Sequence, residues 1–249
     1  LTNIGWATFV IQAMKYLISS FYITLLWAAL PTTHYGQYSY RKADPEGSGR
    51  WYFGREIAPV MSHYGIGWLE RTEREEEEKA SLLLKNMDLK PGEYVADIGA
   101  GSGYHVVRMA PLLGSMGKVF AVDLQPEMLA YIARRVQQLK LTNVKMVQGT
   151  AKFTRLPAGT IDKMLLVDVY HEFEYPQEMA ADMFAALKPG GLLFLIEYRA
   201  EDETVPIKRV HKMTEKQARA EMEAMGFRFV INKDNLPWQH CLIFEKPLK

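Results

Sequence analysis

Residues 94–103 read YVADIGAGSG, and the fold of the chain is decided by this stretch. Tyr94, Val95 and Ala96 suit a short buried strand, and Asp97 puts a carboxylate at or near its end. Gly99, Gly101 and Gly103 permit a tight turn and a close backbone approach to a ligand. From Tyr104 the apolar spacing changes to Val106, Val107, Met109 and Ala110, which predicts a helix. Strand, glycine turn and helix make a nucleotide-sized corner, with free backbone N–H groups at the helix start.

A glycine run by itself also fits a plain structural turn, so its context matters. A second strand-like segment, 118–122, ends in Asp123, twenty residues after Gly103. An acidic residue there can accept hydrogen bonds from a ribose diol. NAD and S-adenosylmethionine (SAM) both carry such a diol. Asp97, just before the glycines, separates them. A carboxylate repels a pyrophosphate but favours the cationic sulfonium and ammonium groups of SAM.

With DIGAGSG at 97–103, VDLQPEML at 122–129, VDVYHEF at 167–173 and LKPGG at 187–191, the chain resembles the class I SAM-dependent methyltransferase family from about residue 82 to 244. The resemblance implies a Rossmann-like α/β fold: a seven-stranded, mostly parallel sheet with helices on both faces and the last strand antiparallel. It also implies that an N-terminal addition covers the methyl acceptor.

The composition is that of an ordinary globular protein. Its 249 residues suffice for one large domain or a domain with a cap. The 30 basic and 29 acidic side chains nearly cancel, so no global field points to nucleic acid. One cysteine, Cys241, excludes an intramolecular disulfide framework and a Cys-rich zinc site, and reads as a small buried hydrophobe.

The first thirty residues differ from the rest. The run at 17–30, LISSFYITLLWAAL, carries no charge, follows Lys15 and precedes Pro31. It reads as a secretory signal, as a membrane anchor over 4–30, or as an apolar helix packed on the domain. Lys15 before it and Arg41 with Lys42 after it give conflicting orientation cues. Because the chain starts at Leu1, residues 1–13 read as an extension from a misplaced start, or the chain as a fragment. A signal or anchor over 14–33 implies an exported or membrane-attached protein, and its absence a cytoplasmic one. The expected organisation is a hydrophobic segment at 1–33, an extension and cap at 34–81, and the SAM-binding domain at 82–249.

Within the extension, Tyr35, Tyr38, Tyr40, Trp51, Tyr52 and Phe53 are too many aromatics for an ordinary flexible linker, and predict a segment laid against the domain. Ile57, Val60, Met61 and Tyr64 predict one face of a short helix, and 50–71 is the best cap candidate. Residues 72–86 predict one helix, with Thr72 as N-cap and Glu75 completing a capping box. Beyond the first unit, strands are expected at 118–122, 143–148, 161–169, 192–197, 227–232 and 241–245. Helices are expected at 126–140, 179–187 and 214–225, the last capped by Gly226.

For the cofactor the candidates are Asp97, Gly99, Ala100, Gly101, Asp123, Leu124, Thr150 and Asp168. The glycines admit the backbone, Asp123 holds ribose and Leu124 touches adenine. Thr150 stands where the family commonly has an acid that binds the adenine amino group. The family pattern also places Asp168 beside the methionine part of SAM. The catalytic candidates follow at once: His171 as base, with Tyr170 and Glu172. His171 has the residue type whose pKa lies near neutrality, about 6.5, while its bland reading is a loop closure. Glu197, Tyr198 and Arg199 could line the acceptor pocket. Lys208, Arg209, His211 and Lys212 read as a basic patch for an acidic substrate or as solvated surface. No metal is expected, because His34, His63, His171 and His211 lack the short spacing of a helical zinc site.

The leading expectation is SAM-dependent methyl transfer to a small-molecule acceptor, with no nucleic acid partner, membrane association only through 4–30, and an oligomeric state left open. The alternatives are an NAD-dependent oxidoreductase and a SAM-fold binding protein without catalysis.

Overall fold

The computed structural model describes residues 38–248. The segment at 4–30, on which the signal and anchor expectations fall, lies outside them, as do His34 and Tyr35. Among the described residues no helix is long and apolar enough to cross a membrane. For the described residues that finding overturns the expectation of a membrane element.

Three short antiparallel strands come first: β1 (Ser39–Tyr40), β2 (Arg50–Tyr52) and β3 (Arg55–Glu56). Phe53 and Gly54 join β2 to β3 with φ of 49° and 86°, the left-handed pair of a tight hairpin turn. The expected short helix over 57–64 does not form. The chain is irregular from Ile57, then turns at Ser62, whose hydroxyl accepts from Tyr64 N–H, and the helix α1 (Ile66–Leu69) follows. Tyr64 points to solvent at 88% exposure.

The single helix expected over 72–86 is two, α2 (Arg74–Glu78) and α3 (Ala80–Met87), broken at Lys79 with φ 49°. Glu78 is drawn inward to Arg71 and Arg74, each at 2.7 Å, so the first helix ends on a buried ion cluster. Thr72 caps nothing, and Glu75 instead accepts from Ser81 N–H at 3.2 Å.

The main sheet contains β4 (Tyr94–Ile98), β5 (Lys118–Asp123), β6 (Val144–Gln148), β7 (Ile161–Val167), β8 (Leu187–Arg199), β9 (Lys212–Met213), β10 (Arg228–Asn232) and β11 (Gln239–Glu245). Its order is β10-β11-β8-β7-β4-β5-β6, with short β9 beside β8. Only β11 runs antiparallel to its neighbours, as the resemblance implied. The helices are α4 (Val106–Met109), α5 (Pro126–Gln138), α6 (Pro176–Ala186) and α7 (Glu215–Ala224).

Alternate strand residues explain the layers. Val95, Val119, Ala121, Leu165 and Ile196 face α3, α4 and α5, while Ala96, Ile98, Met164, Leu166 and Leu195 face α6 and α7. The helix expected over 104–113 shortens to α4 and continues as a 3-10 turn, where Pro111 withholds an N–H. The helix expected over 179–187 ends at Ala186, and residues 187–191 already belong to β8, because Gly190 N–H and Lys246 N–H close ladder bonds there at 2.8 and 2.9 Å.

The strand order reverses between β4 and β7. The crevice for a ligand therefore opens beyond their C-terminal ends, where Asp97 and Asp168 stand.

Candidate active site

The glycine corner has the geometry that its sequence predicts. Gly99, Gly101 and Gly103 have φ of 70°, 53° and 74°. A Cβ on Gly99 would lie 2.4 Å from Val169 Cγ2, so the turn after β4 packs directly on the turn after β7. Asp123 joins two loops: Oδ2 accepts from Gly101 N–H at 2.8 Å and Oδ1 from Gln125 N–H at 2.9 Å. Burial raises its pKa, against those backbone donors. Ala100 is buried beside the corner, whereas Leu124 is 44% exposed on the cavity wall.

A cavity of about 490 Å³ opens from this corner, within the size range of small-molecule sites. Its floor holds polar atoms without partners: Asp97 Oδ2, Asp168 Oδ1 and both ring nitrogens of His105. Burial lifts Asp97 to about 7, opposed by Arg74, and holds Asp168 well above the usual carboxylate range. Burial also keeps His105 neutral. Asp168 adopts φ 50°, and its Oδ2 accepts from Gln239 at 2.6 Å, which fixes the carboxyl toward the crevice.

Arg74 lies among these groups, buried, with Nε on Glu78 and Nη1 on Leu69 O. Buried carboxylates with free oxygens, beside one arginine, match a ligand end that carries ammonium, sulfonium and carboxylate together. A pyrophosphate would meet two buried carboxyl groups. The residues present fit SAM.

Farther along the crevice, Tyr170, His171 and Glu172 form a 3-10 turn after β7. His171 Nδ1 lies 2.5 Å from Glu197 Oε2. Glu197 Oε1 accepts from Tyr170 N–H at 2.9 Å, so β8 holds both the ring and its backbone. On the other side His171 Nε2 is 3.0 Å from His211 Nδ1. Burial would lower the His171 pKa, but the Glu197 carboxylate outweighs it and the ring titrates above its ordinary range. Burial and then His171 push His211 down to about 4.

The segment after β3 closes over this line. Gln125 Oε1 accepts from His63 N–H at 2.9 Å, while its Nε2 donates to Met61 O at 2.8 Å. Glu172 Oε2 accepts from Met61 N–H at 3.1 Å, and Ala58 N–H donates to His171 O at 3.0 Å. Val60, Met61, Trp68 and Leu69 thereby become cavity wall.

Several expected residues sit elsewhere or act locally. Tyr170 is fully buried off the cavity, with the Arg55 guanidinium 5.4 Å from its ring centroid. Thr150 lines the cavity, where its hydroxyl accepts from Lys152 and Phe153 N–H at 3.2 and 3.0 Å. Glu197 stands behind His171 rather than in the pocket, Tyr198 lines it, and Arg199 turns away to Asp234. The basic patch is largely engaged: Lys208 pairs with Glu46 at the cavity rim, Arg209 pairs with Asp44, and Lys212 donates to Asp202 O and Val205 O.

Sequence reasoning missed Arg74, His105, Gln125 and the pairing of His171 with His211. Gln125 had a signal, its place two residues after Asp123 at the end of β5. Arg74 had none, inside a run that reads as a solvated helix start.

The methyltransferase-domain model matches residues 89–240. The chain belongs to this methyltransferase family. Among solved structures it is similar to a SAM-dependent methyltransferase from Aquifex aeolicus, with a TM-score of 0.71, 24% identity, and coverage of 75% of this chain and 99% of that one. A protein-L-isoaspartate O-methyltransferase of Ignicoccus hospitalis is 26% identical over 115 residues, 46% of this chain and 52% of its own. A demethylmenaquinone methyltransferase of a Geobacillus species is 25% identical over 114 residues, 46% of this chain and 49% of its own. The matched stretch spans about half the length of these curated relatives. Family and fold agree with the polar floor of the cavity, and the cofactor is SAM.

Proposed function

We propose that this methyltransferase-family protein transfers the methyl group of SAM to a small-molecule acceptor held between the cofactor corner and residues 58–69. The carrying observation is that His171, oriented by Glu197 at 2.5 Å, lies on the same cavity as the glycine corner. When bound, SAM supplies a methyl group already activated by positive sulfur.

The residues supply position and proton handling. Asp123 is placed for ribose hydroxyls, while Gly99, Ala100 and Gly101 admit the backbone approach. Asp97 and Asp168 meet the cationic end, and Arg74 the carboxylate. Once deprotonated, at a pH above its raised titration range, His171 Nε2 accepts the acceptor's proton, and Glu197 stabilises the imidazolium that results. Glu172 holds Met61, and with it the cap, over the site. The relatives' names divide between protein L-isoaspartate and demethylmenaquinone. The cavity beneath 60–69 favours an acceptor small enough to enter it.

The test is turnover of SAM by the full chain against quinols, phenols, thiols and amines, read as S-adenosylhomocysteine by mass spectrometry. His171→Gln is expected to lower kcat by roughly 10²–10⁴-fold with SAM affinity unchanged. An unchanged kcat would remove His171 from the reaction.

A further inference from the structure

We propose that His171, Glu172 and His211 form a divalent transition-metal site on the wall of the acceptor cavity. The proposal rests on the methyl-transfer reading only for naming that cavity.

Three ligand atoms converge. His171 Nε2 and His211 Nδ1 are 3.0 Å apart. Glu172 Oε1 is 3.8 Å from the first and 3.6 Å from the second. A cation with bonds of about 2.0–2.2 Å holds neighbouring ligand atoms roughly 3.0–3.6 Å apart. Two edges of the triangle already have that size, and the His171–Glu172 edge at 3.8 Å must close slightly around the cation. Two ring nitrogens at such an approach need either one shared proton or one cation between them.

The surrounding shell is the second, independent observation. A histidine that ligates a metal through one nitrogen commonly gives the other N–H to a carboxylate, which fixes its tautomer. His171 does this, with Nδ1 on the fully buried Glu197. Glu172 is likewise oriented, since Oε2 is taken by Met61 N–H and Oε1 is left toward the two rings. His211 sits in the 3-10 turn Arg209–His211, with its N–H on Lys208 O. Lys208, just before that turn, is paired with Glu46 at 2.7 Å.

Two imidazoles and one carboxylate suit zinc, iron(II), cobalt(II) or manganese(II), and leave coordination positions open. Those positions face the cavity, where a hydroxyl or thiol of the acceptor would lose its proton more readily against the cation. In the metal-loaded form His171 Nε2 is a ligand, and the cation replaces it in lowering the acceptor's proton affinity.

The test is titration of EDTA-treated, full-chain protein with cobalt(II) and zinc(II) chloride, by calorimetry and by the visible spectrum of cobalt. One saturable site with a cobalt d–d band is expected. His211→Ala, on a turn partly open to solvent, and Glu172→Gln should abolish the band. Glu197→Gln should weaken binding by roughly 10–100-fold. The same samples are titrated with SAM. Protein that binds SAM but gives no cobalt band, or a band untouched by His211→Ala, overturns the metal site. A cobalt band in protein that fails to bind SAM upholds the metal site and overturns the methyl-transfer reading instead.

Discussion

At the level of single residues, the corner tolerates little. Gly99 combines φ 70° with Val169 Cγ2 at 2.4 Å from where a Cβ would stand. Gly99→Ala is expected to cost about 1–3 kcal/mol of stability and to abolish SAM binding, measured by urea unfolding and calorimetry. A variant that binds SAM normally would show that the turn is less constrained than this.

Asp97 gives a pH signature whose sign is unusual for a carboxylate. Its unfolded value is 3.8 and its folded value about 7, because burial disfavours the charge. Between those values the folded protein holds the extra proton, so its stability falls as pH rises from about 4 to about 7 and levels above. A cationic ligand needs the ionised form, so the Asp97 contribution to SAM affinity should rise with pH and level just above 7, with any further rise at higher pH belonging to Asp168. Asp97→Asn should flatten both curves. Affinity that is independent of pH in the parent protein would separate Asp97 from the ligand.

At the scale of elements, the small β1–β3 sheet is held on the main domain by a buried ion pair. Arg55 Nε and Nη2 meet Glu221 of α7 at 2.7 and 3.1 Å, and the Glu221 side chain has no exposure. Removing one partner leaves a buried charge, with Gln217 as its remaining contact. Arg55→Ala should therefore cost about 3–5 kcal/mol, seen in urea unfolding and as faster amide exchange over 50–61. A loss below about 1 kcal/mol would mean that the pair behaves as a surface bridge.

The same scale shows what was legible in advance. The strand–turn–helix at 94–113 and the alternation that follows were readable because local pattern and burial agree there. Two of the departures from the reading have one cause: tertiary contacts overrode local periodicity. Lys79 breaks a good helical run because Glu78 turns inward to Arg71 and Arg74. Residues 187–191 extend as strand because the C-terminal Lys246 pairs with them. In the site, Asp97, Asp123 and His171 were readable from their positions at strand ends. Arg74, His105 and His211 were not: only the fold brings Arg74 and His105 to the cavity beside Asp97 and Asp168, and His211 meets His171 across 40 residues of sequence.

For the whole molecule, one crevice serves the glycine corner, the polar floor and the His171–His211 pair. Ligand binding there should be felt globally. SAM at 100 times its Kd should add about 2.7 kcal/mol of stability and raise Tm by roughly 5–11 °C. S-adenosylhomocysteine should act similarly, and NAD should not act at all.

The most direct measurement is calorimetric titration of the full chain with SAM, S-adenosylhomocysteine and NAD, beside a folded Asp123→Ala variant. Saturable binding of the two SAM-type ligands, no heat with NAD, and at least tenfold weaker binding in the variant (about 1.4 kcal/mol) are the expected result. Folded protein that binds neither SAM nor its product, or that binds NAD alone, would contradict the assignment of this crevice.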